Sequence, residues 1–318
     1  MKKLVIVGGL LGVSLAIAGC GTSSATSTAD TKTTTTTSET AKKQSLTYLD
    51  KKYEVTYPTN KIVTASLESM EDAVALGVEP IGAVAVSTDF PSYLKDDLGS
   101  DVQNVGNKMG PDVEAVTALA PDVILGSTKF DESVTANLNK IAPTINVSHQ
   151  STDWAENLEL MGELSGKSEE AEEKVDAYNS DLKAFKKEHA AIKDQKAVMV
   201  RVRNGELCVY GEKLYYNPTI YGDLGYQIPD ELKDVSAQTT ISVEQFADWD
   251  VDVVFVQFDE EENAGNLDYL DKLKENTIWQ SIPAVANNDV YYNVVDGGYQ
   301  GGTYLSKEAL LEGLNENL

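Results

Sequence analysis

The chain has 318 residues, with 51 acids against 26 bases and a formal net charge of -25. That balance excludes a general nucleic-acid or anionic-lipid surface, because each phosphate contact would work against the field of the whole body. Two cysteines and two histidines give no zinc spacing or metalloprotease pair, and no GxxxxGK run, GxGxxG fingerprint or serine elbow is present, so an enzyme reading lacks a positioned reactive group.

Met1, Lys2 and Lys3 precede the apolar run LVIVGGLLGVSLAIAG, which ends in small residues before Cys20. The run is shorter than the roughly 20 residues of a spanning helix and lacks basic stop-transfer residues, so residues 1–19 read as an export signal. LAIAGC resembles the lipobox of bacterial lipoproteins, which implies lipidation of Cys20 and a mature chain held at the outer face of a membrane. Removing residues 1–19 takes away two lysines and no acid, leaving a net charge of -27. Residues 20–45 are rich in Ser and Thr and nearly free of large apolar side chains. They cannot offset the entropy of ordering and read as a tether. With Cys20 lipidated, Cys208 has no intrachain partner and reads as a small buried hydrophobe.

Residues 46–166 alternate short apolar strands (KIVTAS, PIGAVAV, VQNVG, DVILG, TINVS) with helices, among them LESMEDAVALG, DVEAVTALA and ESVTANLNKIA. This alternation predicts an α/β lobe with a largely parallel sheet and a ligand site at the carboxyl ends of its strands. Residues 167–190 form the predicted connector, one long helix from Lys167 to about Glu188, about 33 Å over 22 residues, whose apolar stripe is Val175, Tyr178, Leu182 and Phe185. Residues 191–318 repeat the scheme: a hairpin KAVMVRVRNGELCVYG, a helix from TIYGDLG, the helix SVEQFADW, the strands VDVVFVQF and DVYYNVV, and a terminal helix. VEAVTALAPDVIL and VEQFADWDVDVVF place Glu114 and Glu244 each eight residues before an aspartate and an apolar strand, a weak internal repeat. The predicted fold class is α/β: two Rossmann-like lobes joined by a long interlobe helix, an arrangement that sets a ligand cleft between lobes, with one large domain holding an ordinary packed helix as the alternative.

Arg201 and Arg203 are the only arginines, and both stand on one predicted strand. Asn204-Gly205 favours a two-residue hairpin that pairs Arg203 with Glu206 and Arg201 with Cys208, leaving the valines on the opposite face. Arginine supplies a planar fork of donors that stays charged. One reading aims both forks into a cleft; the plainer one pairs Arg203 with Glu206 across the hairpin. Tyr215, Tyr216, Tyr221 and Tyr299 supply aromatic surface with a hydroxyl handle, and Tyr216 and Tyr299 are the preferred contacts. Lys108 and Lys129 follow N-lobe strands and could add positive charge there. His149 follows a strand and reads as a loop residue.

The order of MGPDVEAVTALAPDVILG, KIAPTINV, LYYNPTIYGDLGY, TTISVEQFADWDVDVVFV and IWQSIPAVANNDVYY, behind a lipobox and tether, resembles the iron-siderophore and cobalamin class of solute-binding lipoproteins that serve ABC importers. The RVRNG-containing, tyrosine-rich version looks most like Gram-positive binders of ferric hydroxamate or mixed hydroxamate-carboxylate siderophores. The resemblance implies a ferric siderophore ligand bound outer-sphere, with no cofactor and no iron ligand from the protein, and a cleft using Arg201, Arg203, Lys108, Lys129, Tyr216 and Tyr299. It implies permease docking by Glu114 and Glu244, a permease dimer with a cytoplasmic ATPase as partner, and a lipid-anchored monomer on a Gram-positive cell. Haem, a corrinoid or a catecholate siderophore in the same fold is the alternative, followed by a surface interaction protein without a transport role.

Overall fold

The computed structural model describes residues 42–86 and 88–318. The expected export signal, the lipidation site Cys20 and the tether up to residue 41 lie outside the described residues. Residues 42–45, expected in the tether, instead open strand β1 (Lys42–Tyr48), paired antiparallel with β2 (Lys51–Tyr57). The pair alternates in the period-2 manner of a one-faced sheet and buries Leu46, Tyr48, Val55 and Tyr57. Ladder bonds to β2 extend the strand beyond its first large apolar side chain.

The N-terminal lobe then runs β3 (Ile62–Thr64), α1 (Leu67–Ala75), β4 (Gly82–Ala85), α2 (Ser92–Lys95), β5 (Gln103–Asn107), β6 (Gly110–Pro111), α3 (Val113–Leu119), β7 (Val123–Ser127), α4 (Glu132–Leu138) and β8 (Thr144–Val147). Its sheet has the order β6-β5-β4-β3-β7-β8, parallel except for the β5–β6 edge. Two-sided coverage explains the unbroken burial of β3, β4 and β7. Helices α5 (Trp154–Ser165) and α6 (Ser168–Glu188) follow, and α6 buries Tyr178 and Phe185 from the expected stripe.

The C-terminal lobe contains β9 (Ala197–Arg203), β10 (Glu206–Val209), β11 (Thr239–Ile241), α7 (Val243–Ala247), β12 (Val253–Phe258), α8 (Tyr269–Glu275), α9 (Thr277–Ser281), α10 (Pro283–Ala286), β13 (Val290–Tyr292) and α11 (Tyr304–Asn317). The sheet order is β11-β10-β9-β12-β13, with β9, β12 and β13 parallel. The segment expected to start a helix at TIYGDLG is a π-helical stretch, Pro218–Leu224.

Helix α11, expected within the C-terminal lobe, packs on α1, α5 and α6. Its Gly313 sits against the chain after β13: a Cβ there would lie 1.7 Å from the Val294 carbonyl oxygen. One apolar cluster accordingly runs from Ile62 and Leu125 through Leu158 and Tyr178 to Met199, Phe255 and Leu310, joining both sheets through the connecting helices.

Candidate functional site

The arginine hairpin forms in the expected register, Arg203 opposite Glu206 and Arg201 opposite Cys208. Asn204 and Gly205 take the positive φ values of 51° and 76° that this turn requires. Val198, Val200, Val202, Leu207 and Val209 enter the core on one face, so both guanidinium groups leave from the other.

Glu262, not Glu206, is their common partner. Arg201 donates from Nε to Glu262 Oε2 at 2.9 Å and from Nη2 to the Gly297 carbonyl at 3.3 Å. Arg203 brings Nη2 to 3.3 Å from Glu262 Oε1 and donates from Nη1 to Gln238 at 2.6 Å. One carboxylate therefore bridges two forks. The side chains differ in access: Arg201 is 1% exposed and Arg203 38%. Arg201 also lies 5.4 Å from the Tyr215 ring, which stacks on Tyr210 at 4.4 Å. Its Nη1 is buried and has no hydrogen-bond partner among the described residues. Such a donor is costly to leave unmade in a low-dielectric site.

The carboxylate is held by the chain after β12. Asn263 donates to the Val202 and Asp259 carbonyls and accepts from the Gly205 amide, tying this loop to the hairpin turn. Asp259 accepts from the amides of Glu261 and Glu262.

These groups face a cavity of about 670 Å³ between the lobes, whose opposite wall is formed by Leu67, Phe90, Tyr93 and Lys108. An annex of about 190 Å³ adjoins it at Leu67 and Gln300 and reaches Lys129, His149, Tyr215 and Gln238. Nearly every lining group follows the carboxyl end of a parallel strand: Lys108 after β5, Lys129 after β7, His149 after β8 and Glu262 after β12. This is where open α/β sheets place their ligands. A separate hollow of about 740 Å³ at the other end of the N-lobe strands includes Lys61 and Lys167. There the Lys167 ammonium already donates to the carbonyls of Leu76 and Gly77.

Lys108 is half-buried and makes no side-chain hydrogen bond or ion pair among the described residues. Burial holds its ammonium below the ordinary value; Glu262 opposes that shift, and Lys129 and Arg203 add to it. Lys129 lies in the annex with Nζ 3.2 Å from Glu68. His149 bonds Thr128 at 2.7 Å, and burial followed by the charge of Lys129 lowers its pKa.

Neither of the two preferred tyrosines lines the cavity or its annex. Tyr299 is half-buried and stands behind the wall, its ring 4.5 Å from that of Tyr93. Tyr216 is completely buried and does not line the cavity, so the expected contact through it is corrected. Its left-handed neighbour Tyr215 (φ 59°) redirects the chain, sending Tyr216 into the core and leaving Tyr215 against Arg201 and the annex.

Beneath the cleft, Glu71 of α1 is 1% exposed and accepts hydrogen bonds from Tyr93, Thr303 and Ser306. Burial pushes its carboxyl up to about 7 despite those donors, and the adjacent Asp72 is raised well above the ordinary range by burial and the neighbouring acids Glu71 and Glu68. Among the described residues, no group of three or more His, Cys, Asp or Glu is placed to hold a metal ion.

Glu114 and Glu244 are exposed in the first turns of α3 and α7. They do not cap those helices: Asp112 caps α3, while Ser242 and Gln245 form a capping box on α7. Both carboxylates are left for other partners.

A cleft fed by the carboxyl ends of two sheets joined through a long helix is the architecture of a ligand-capturing protein, and a family model for periplasmic binding proteins matches residues 62–293. The chain belongs to that family. As a periplasmic binding protein it is 42% identical over its whole length to the iron-uptake system-binding protein of Bacillus subtilis, of which it covers 99%. The crystal structure of the triscatecholate siderophore-binding protein FeuA from Bacillus subtilis, complexed with ferri-bacillibactin, superposes with a TM-score of 0.77 at 43% identity. That match covers 86% of this chain and 99% of FeuA. Staphylococcus aureus SirA complexed with staphyloferrin B superposes with a TM-score of 0.70 at 28% identity, covering 86% and 97%.

Glu262, Tyr93, Glu71 and Gln238 are site residues that sequence reasoning missed. For Glu262 a signal existed: DEEENAGN directly follows the buried strand VDVVFVQF, in the loop class that the strand-end rule selects. Tyr93 and Glu71 carried none, because their placement depends on contact with a segment more than 200 residues away.

Proposed function

We propose that this protein captures a ferric siderophore between its lobes, on the outer face of the membrane, and presents it to the permease of an ABC importer. The observation that carries the reading is the convergence of Lys108, Arg201 and Arg203 on one interlobe cavity large enough for a small chelate. A ferric chelate with phenolate or carboxylate oxygens around the iron is an anion, and guanidinium and ammonium donors can bind those oxygens without entering the metal's coordination sphere. The cations favour an anionic core, a trianionic tris-catecholate first. The relative that binds ferri-bacillibactin supports this choice. The neutral ferric trihydroxamate, favoured on sequence, takes second place. A mixed hydroxamate-carboxylate chelate stays in view because Glu262 already shows a carboxylate spanning both forks. The lipid anchor at Cys20 and docking through the exposed Glu114 and Glu244 complete the proposed arrangement.

Equilibrium titration of intrinsic fluorescence with ferric tris-catecholate, ferric trihydroxamate and ferric citrate tests it. Arg203→Gln and Lys108→Gln are each expected to weaken the anionic chelate by about tenfold or more, the value of one charge-assisted hydrogen bond. Saturable binding of none of the three chelates by the unaltered protein would refute the reading.

A further inference from the structure

The charges lining the main cavity balance: Lys95, Lys108, Arg201 and Arg203 face Asp89, Asp259, Glu261 and Glu262. They are not equivalent. Lys95 and Asp89 pair with each other at the exposed rim, 2.5 Å apart. Asp259 is occupied with backbone amides of its own loop. Glu262 alone reaches the arginines, giving one oxygen to each fork. Its backbone cannot drift, because the next residue, Asn263, is 1% exposed and tied to Val202, Gly205 and Asp259.

We propose that Glu262 is a resident counter-anion that determines specificity by occupying the arginine forks in the empty cleft, so that small inorganic anions gain too little there to bind. A phosphate or sulfate ion entering this cleft meets two forks that already share one carboxylate, which halves their combined charge, holds a donor of each and repels the incoming anion. Among the described residues the cleft's one unpaired cation is Lys108, on the opposite wall. A chelate that fills the cavity is different, since it gains from Lys108, from the half-exposed Arg203 and from apolar contact with Leu67, Phe90 and Tyr93 together. The geometry thus separates a large oxygen-rich anion from the small anions that any site with two adjacent arginines would otherwise collect. The identity of the large anion rests on the siderophore reading; the exclusion of small ones does not.

Calorimetry with inorganic phosphate on the full chain reads the exclusion directly, with titrant and cell matched in ionic strength using sodium chloride. The unaltered protein is expected to show no saturable phosphate binding, and Glu262→Gln to bind phosphate at least tenfold more tightly than any residual binding in the unaltered protein. Glu261→Gln makes the same charge change one residue away, at a carboxylate that bonds neither arginine, and is expected to leave phosphate binding absent. Should Glu262→Gln fail to fold, Glu262→Asp retains the charge but retracts it by one methylene, opens the Arg203 fork, and is expected to bind phosphate detectably. In competition, phosphate is expected to displace a ferric tris-catecholate from Glu262→Gln at concentrations at least tenfold lower than from the unaltered protein. Equal phosphate binding by the Glu262 variant and the unaltered protein, or an equal gain in Glu261→Gln, overturns the proposal. If the unaltered protein binds no ferric chelate while Glu262→Gln still gains phosphate, the siderophore reading fails and this inference stands.

Discussion

Replacing Glu71 by glutamine tests the polar seam that binds α1 to the start of α11. In the folded protein this carboxyl titrates at about 7 against 4.5 for an unperturbed glutamate, with burial the dominant cause. Between those two values the folded state holds the proton more tightly than the unfolded chain. Stability from this group is therefore fully present below pH 4.5 and is lost as pH rises towards 7, by up to about 3 kcal/mol at 1.36 kcal/mol per pKa unit. Asp72 is shifted in the same direction and adds to the slope. A glutamine cannot ionise and keeps one acceptor oxygen, enough for the Thr303 and Ser306 hydroxyls that share one carboxyl oxygen, while the Tyr93 hydroxyl, which bonds the other, faces its NH2 group; that loss is the same at every pH. Urea unfolding from pH 4.5 to 8 should show Glu71→Gln gaining on the unaltered protein as pH rises, with the difference reaching a plateau above pH 7. A difference that is constant with pH, or that grows towards acid, would refute the argument.

Lys307 of α11 is a second buried tie. It donates to Asp223 at 2.7 Å and Thr219 at 2.8 Å and lies within 6 Å of the Trp154 and Tyr178 rings. Lys307→Met removes the charge partner of Asp223, which keeps the Tyr178 hydroxyl at 3.1 Å and is 29% exposed, and should cost about 2 kcal/mol in urea unfolding; an unchanged midpoint would show that the pair contributes nothing. For Glu114 and Glu244, the double charge reversal Glu114→Lys with Glu244→Lys should lower cellular uptake of the ferric chelate at least tenfold while leaving its affinity for the isolated protein unchanged. Undiminished uptake would remove both residues from the docking surface.

Much of the architecture is local in origin and so was legible in the chain. The strands of each sheet are short apolar runs, α6 shows its stripe at three- and four-residue steps, and Asn204-Gly205 dictates the hairpin and its register. Lys108 and Lys129 were legible only as candidate cations of N-lobe loops, for which solvent exposure was the plainer expectation; it is the packing of the lobes that sets them in the cavity and its annex. The choice between adjacent tyrosines was not legible: at Tyr215-Tyr216 a single left-handed residue sends Tyr216 into the core and leaves Tyr215 at the annex, and no pattern in LYYNP announces it.

What the sequence by itself determined is the set of faces: the valine face and the arginine face of β9, the buried β3, β4 and β7, and the exposed first turns carrying Glu114 and Glu244. Tertiary structure decided the partners. Arg203 turned from its cross-strand neighbour Glu206 to Glu262, 59 residues away along the chain, and α11 left its own lobe to bury Ser306 and Lys307 against α1 and α6. Secondary structure fixes where a side chain points through the covalent backbone. The group it meets is set by how separately folded elements pack, and a buried charge takes whichever counter-charge that packing brings within reach.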